Sequence, residues 1–200
     1  MTKSQVDNKV IGFDMDGVVF DHTENKIRAA KKFGILLKKK QTPSILVKEF
    51  FSPSDYEKFK KYFYDDIAKT YKPNLMPGVK EVLELVKKRQ IQFYLISRQK
   101  YPQKAIGILS FYGLWPKYFN RKNTFFVLEP EDKEIKANAL GITHYIDDEQ
   151  KVLDVLHSVP NKILFDPLGI FKNPSPFGKV RDKNSGYARV KSWKEVAKLI

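Results

Sequence analysis

Five short apolar segments punctuate this chain, at Val10–Phe13, Gln92–Ile96, Thr124–Leu128, His144–Ile146 and Lys162–Phe165. Each is rich in aliphatic or aromatic residues and bounded by polar or turn residues, the pattern of a buried strand. Between them lie stretches with helical spacing. Val79, Val82, Leu83 and Val86 recur at i, i+3, i+4 and i+7 behind Pro77-Gly78. Asp132 to Leu140 runs into Gly141, a helix stop, and Gln150 to His157 reads as a further short helix. Strands that alternate with helices predict an α/β fold: a Rossmann-like parallel sheet wound by crossover helices.

One connection is too long for a simple crossover. From Asp21 to Met76 no good strand appears. Glu24 to Phe33 and Ser44 to Phe50 read as helices, and a third opens at Ser52 and runs to about Thr70. Ser52 suits the N-cap, Pro53 the first helical position, and Phe51 can staple against Tyr56. The expected organisation is a core of residues 1–21 plus 76–200, with residues 22–75 as a small all-helical cap over the sheet's C-terminal edge. Asp166 to Val190, with little periodicity, reads as a long loop. Ser192-Trp193-Lys194-Glu195 reads as a capping box opening a final helix to Ile200.

The chemistry gathers at the strand ends. The first strand runs into Asp14, Asp16 and Gly17. Residues i and i+2 of a strand share a side, so both carboxylates can face one pocket beyond the strand's C-terminal end. Two carboxylates so close call for a cation or a shared proton. Asp-Gly is also an ordinary turn dipeptide, and the other strand ends decide between the two readings. The second ends in Ser97-Arg98-Gln99, the third leads through Glu129-Pro130-Glu131-Asp132 to Lys133, and the fourth ends in Asp147-Asp148. Adjacent acids on a buried strand cost several kcal/mol unless a cation or hydrogen-bond donors satisfy them. His22 and His144 lie close to these residues, and packing is the simpler reading of each. Asp21 suits a cap for the first insert helix.

Composition narrows the function classes. With hydrophobic residues at 42%, the chain is of the globular type, and it holds no cysteine, which excludes disulfides and thiolate metal sites and fits a cytoplasmic location. Residues 1–10 are polar, so no secretory leader is expected, and no apolar run is long enough to span a bilayer, so no membrane partner is expected. The net charge of +14 would draw in an anionic substrate, such as a small phosphorylated molecule, or nucleic acid. The basic residues are overwhelmingly Lys, whereas base and phosphate-fork recognition prefers Arg, so solvated Lys faces are the simpler reading.

At this point the chain resembles the haloacid dehalogenase-like (HAD) hydrolases, in their C1-capped form, over about residues 9–165. Phe13-Asp14-Met15-Asp16-Gly17-Val18-Val19 resembles their first motif and Leu95-Ile96-Ser97 the second. Lys133 ahead of Leu140 to Ile146 resembles the third, Asp147-Asp148 the fourth, and Met76-Pro77-Gly78-Val79 the return from the cap. The Gly-Asp form of the fourth motif and the Lys-Pro form of the third are absent, so no substrate transfers from the better-known members.

The resemblance implies a role for each residue. Asp14 attacks phosphorus and becomes an aspartyl-phosphate. Asp16 protonates the leaving alcohol and then activates water. Mg²⁺ is bound by Asp14, the main-chain carbonyl of Asp16 and Asp148, with Asp147 in support. Ser97 and Lys133 hold the phosphoryl group. Lys136, three residues on, competes with Lys133, and the position nearer the helix start favours Lys133. The function implied is a Mg-dependent phosphatase acting on a small phosphomonoester. The alternatives are a phosphotransferase or mutase, a nucleic-acid 3′-phosphatase suggested by charge alone, and a catalytically silent binding domain.

Overall fold

The computed structural model describes residues 9–171 and 186–200. Strand β1 (Val10–Phe13) leads through a tight turn to the two-residue strand β2 (Phe20–Asp21). Helices α1 (Thr23–Lys31), α2 (Ser44–Val47), α3 (Pro53–Tyr62) and α4 (Ala68–Thr70) follow, with a single π-helical stretch at Phe63–Ile67 joining the last two. Strand β3 (Asn74–Leu75) pairs antiparallel with β2 and closes the insert. The rest alternates: α5 (Val79–Lys88), β4 (Gln92–Arg98), α6 (Pro102–Phe111), β5 (Thr124–Val127), α7 (Pro130–Ala139), β6 (His144–Asp147), α8 (Gln150–Val155) and β7 (Asn161–Phe165). Beyond the undescribed segment come β8 (Tyr187–Val190) and α9 (Trp193–Val196).

Six strands form one sheet in the order β5-β4-β1-β6-β7-β8, every pair parallel. β1 therefore sits inside the sheet with a neighbour on each side, which is why its residues are all buried. Period-two alternation divides its faces. Ile11 and Phe13 join Leu95, Ile146, α5 and Trp193 on one side, while Val10 joins Tyr145, Ile96, α7 and α8 on the other. Gly12 lies beneath Tyr145, and a Cβ there would stand 2.4 Å from its ring. The missing side chain lets Tyr145 cross β1 and donate to the Ile96 carbonyl at 2.6 Å. Trp193 packs on Phe13 and donates from Nε1 to the Val18 carbonyl at 2.9 Å, tying α9 to the turn after β1.

The insert helices pack round a cluster of their own: Ala29, Ala30, Leu37, Val47, Phe59, Phe63 and Ile67. Ser52 caps α3 by accepting from the Asp55 N–H, and the Phe51 and Tyr56 rings meet with centroids 6.2 Å apart. Among the described residues, no helix is long and apolar enough to cross a membrane.

The structure amends the sequence reading at several elements. Helix α6 was not anticipated, because Ala105, Ile106, Ile108 and Leu109 spread its apolar residues around more than one face. The stretch read as a loop from Asp166 to Val190 ends in strand β8, and its residues 172–185 lie outside the described residues, as does most of the polar stretch 1–10. The helix read from Ser52 to about Thr70 is broken at Phe63–Ile67 by the π-helical stretch. The final helix keeps its Ser192 cap but ends as an α-helix at Val196, and Glu195 reaches back to the Lys191 N–H rather than to Ser192.

Candidate active site

The sheet's C-terminal edge and the insert enclose a cavity of about 400 Å³, within the range of ligand pockets. Asp14, Asp16, Ser97, Lys133, Asp147 and Asp148 all line it. Residues spread over more than 130 positions of sequence meet because β1 lies between β4 and β6, and because Lys133 opens the helix that follows β5.

Asp14 continues β1 by one residue, its N–H donating to the Ile146 carbonyl at 3.0 Å. That bond places it beside Asp147 at the end of β6. Lys133 stands between them. In the first turn of α7, Asp132 accepts from the Glu129 N–H at 3.0 Å and fixes the helix start. Lys133, 1% exposed, then donates from Nζ to Asp14 Oδ1 and to Asp147 Oδ2, each at 2.7 Å. Lys136 turns away and sits over the Phe125 ring, so Lys133 is the lysine that reaches the acids. The other Asp147 oxygen accepts from the Glu149 N–H at 2.9 Å. Asp14 Oδ2 and both oxygens of Asp148 have no hydrogen-bond partner among the described residues.

Charge is out of balance here. Carboxylate oxygens of Asp14, Asp147 and Asp148 lie within 4.8 Å of one another, and among the described residues one ammonium, that of Lys133, pairs with the first two. Burial pushes the Asp14 carboxyl up; Lys133 pulls it down, and Asp147 and Asp16 push it up again, to about 7. Burial, then Asp147, Asp14 and Glu149, push Asp148 well above the ordinary carboxylate range against Lys26. Lys133 loses solvation on burial, but Asp14 and Asp147 more than offset this and hold it firmly protonated. A hard divalent cation with oxygen ligands fits this set, because it would supply the positive charge that three acids and one lysine lack.

Asp16 faces the same cavity and keeps different company. Its Oδ1 meets His22 Nε2 and its Oδ2 accepts from Gln99 Nε2, each at 2.8 Å. Burial raises its carboxyl, but His22, Gln99 and Lys26 outweigh that and hold it below the ordinary carboxylate value. Its side chain is not among the three grouped acids. The Ser97 hydroxyl is buried with no partner among the described residues. Such an orphan costs about 1–3 kcal/mol, which a ligand oxygen would relieve.

Two contacts escaped the sequence reading. His22, read there as a packing residue, lies between Asp16 and the Phe63 ring of the insert. Gln99 follows Ser97 out of β4 and reaches the same carboxylate. The only available signal was their proximity in sequence to motif residues. Arg98 pairs with Glu149 at 2.6 Å, Asp21 accepts from the Thr23 N–H at 2.8 Å, and His144 Nδ1 lies 2.8 Å from the Thr143 hydroxyl.

No protein-family model matches the sequence, and no curated protein is similar to it at the sequence level. Solved structures are similar to it throughout. A protein assigned as a beta-phosphoglucomutase, from Thermotoga maritima, is 20% identical with a TM-score of 0.58, covering 96% of this chain and 97% of its own. A HAD family hydrolase from Deinococcus radiodurans, with phosphate and sodium bound, is 16% identical with a TM-score of 0.59, covering 94% and 93%. A predicted phosphoglycolate phosphatase from Haemophilus somnus is 16% identical with a TM-score of 0.60, covering 98% and 99%. With its six parallel strands, β1 inside the sheet and a helical insert behind the first strand, the chain has the fold of the HAD-superfamily hydrolases.

Proposed function

We propose that this protein is a magnesium-dependent phosphatase of the cytosol, hydrolysing a small phosphomonoester through an aspartyl-phosphate on Asp14. The observation that carries the reading is Lys133, whose ammonium bridges Asp14 and Asp147 beside Asp148, a carboxylate with no hydrogen-bond partner among the described residues. Asp14, Asp148 and the Asp16 carbonyl would hold magnesium, with Asp147 oriented in support. When bound, magnesium would cancel carboxylate–phosphate repulsion and polarise the phosphoryl oxygens.

Lys133 engages Asp14 Oδ1, which leaves Oδ2 as the attacking atom. A phosphorus–oxygen bond forms there as the ester's leaving oxygen departs. Lys133 and the Ser97 hydroxyl would hold the equatorial oxygens, where charge develops. Asp16 exchanges a proton with the leaving oxygen and later takes one from water. His22 Nε2, 2.8 Å away, can pass Asp16 the proton that goes to the leaving oxygen and take back the one that comes from water.

The test is hydrolysis of p-nitrophenyl phosphate with Mg²⁺, abolished in Asp14→Asn. A pure protein silent on a broad phosphomonoester panel overturns the reading in favour of a binding domain. Likeness to the protein assigned as a beta-phosphoglucomutase favours a second reading, a phosphotransferase with the same nucleophile. Tracing labelled phosphate to water or to an acceptor alcohol separates the two. The nucleic-acid 3′-phosphatase reading has only the +14 charge behind it, and requires salt-sensitive binding to DNA or RNA.

A further inference from the structure

The insert contributes a cation to the cavity, Lys26, the fourth residue of α1. The other cations lining the cavity are committed. Lys133 is held by two carboxylates and Arg98 by Glu149. The hydrogen bond of the Lys26 ammonium is a long one, to Ser44 Oγ at 3.3 Å, and no carboxylate stands within ion-pair distance of it among the described residues.

The hydrogen-bond partner of Lys26 is a hydroxyl, and further hydroxyls line its side of the cavity. An ammonium only donates, so Ser44 Oγ accepts from Lys26 and retains its own hydrogen to give. Thr42 donates to the Lys39 carbonyl at 2.8 Å and, more weakly, to Thr23 Oγ1 at 3.4 Å. No shorter hydrogen bond engages the Thr23 hydroxyl among the described residues, so its hydrogen can go to a ligand. Thr23 and Lys26 are three residues apart in α1 and share one helix face. Lys26, Ser44 and Thr23 thus bring more donor hydrogens to the insert side of the cavity than they have acceptors there among the described residues. Donors without an acceptor suit an anion.

We infer that Lys26, Ser44 and Thr23 form a second anion subsite, and that the substrate is a short phosphate ester whose leaving group carries a further anionic group, a carboxylate or second phosphoryl. The inference rests on the phosphatase reading, because a phosphoryl group at Asp14 defines the first position. Burial holds the Lys26 ammonium below its ordinary value, and Asp148, Asp16, Glu149 and Asp21, which also face it, offset that only in part. The competing account is that Lys26 merely offsets those acids. In that account every phosphate ester depends on it equally.

Matched esters decide between them. With Mg²⁺, kcat/KM is measured for ethyl phosphate against 2-phosphoglycolate, and for propyl phosphate against propane-1,3-diol bisphosphate. The native protein is expected to favour the doubly anionic member of at least one pair by tenfold or more. The pair that shows it identifies the second group as carboxylate or phosphoryl. Lys26→Met is expected to reduce that ratio at least tenfold, chiefly through KM, and Ser44→Ala about threefold. Thermal unfolding of each variant verifies that it is folded. A native ratio near one, or a ratio unchanged in both variants, overturns the subsite. Loss of p-nitrophenyl phosphate turnover in the native protein overturns the reaction instead. Calorimetric affinities of Asp14→Asn for the same pairs then judge the subsite alone, with equal affinities counting against it.

Discussion

A Cβ on Gly17 would stand 2.2 Å from Oδ2 of Asp148. The turn behind the first two acids is therefore packed against the last one, and Gly17 takes a positive φ of 85° to make it. Gly17→Ala is expected to displace the Asp148 carboxylate and to lower phosphatase kcat/KM at least tenfold. Because the backbone is strained as well, stability should drop by about 1 kcal/mol or more. Kinetics at graded Mg²⁺ would show a raised metal requirement; an unchanged requirement would mean that Asp148 does not serve the metal.

Lys133 is buried between two carboxylates. Lys133→Met leaves both without their counter-ion, and breaking a buried pair in this way costs about 3–5 kcal/mol. Urea unfolding should register that loss, and turnover should fall by orders of magnitude. Lys136→Met, which removes a group lying over Phe125, should do neither. Equal effects from the two variants would contradict the assignment.

Without metal, stability should fall as pH rises. The Asp14 carboxyl, ordinarily near 3.8, is pushed up to about 7, and Asp148 is raised too. Between about pH 4 and pH 7 the folded state keeps protons that the unfolded chain has lost, so folding becomes less favourable across that window. Asp16, held low, acts in the opposite sense and only in more acid solution. In chelator, the melting temperature is expected to drop by several degrees from pH 5 to pH 8, and Mg²⁺ should flatten the slope. A flat or rising curve in chelator would refute the charge deficit.

His22→Ala removes one of the two partners of Asp16. We expect kcat to fall about tenfold or more, the usual scale of assisted proton transfer. The pH–rate profile should change shape, whereas a purely structural role for His22 would leave that shape alone. Gln99→Ala, which removes a donor but no exchangeable proton site, should lower the rate with the profile preserved.

The sheet was legible because each strand is short and dense in apolar residues; Val10–Phe13 agrees with its sequence reading at both ends. The first and fourth acid pairs and Lys133 were legible because charge at the end of a buried strand has few structural explanations. Strands β2 and β3 hold two residues each, too few for a period to register. The edge strand β8 is only half-buried and follows an irregular stretch. The contact between His22 and Asp16 depends on the turn at Gly17 and on the approach of the insert through Phe63. Neither is a local property of sequence.

The placement of β1 has a consequence for how the molecule is made. Ile11 pairs with Phe93 on one side and with His144 on the other. A ribosome delivers Asp14 well before the strands that come to flank it, and Lys133 only with α7. A partly synthesised chain thus carries Asp14 as an ordinary solvated acid. The charge cluster of Asp14, Lys133 and Asp147 assembles late in biosynthesis, when the middle of the sheet closes around β1.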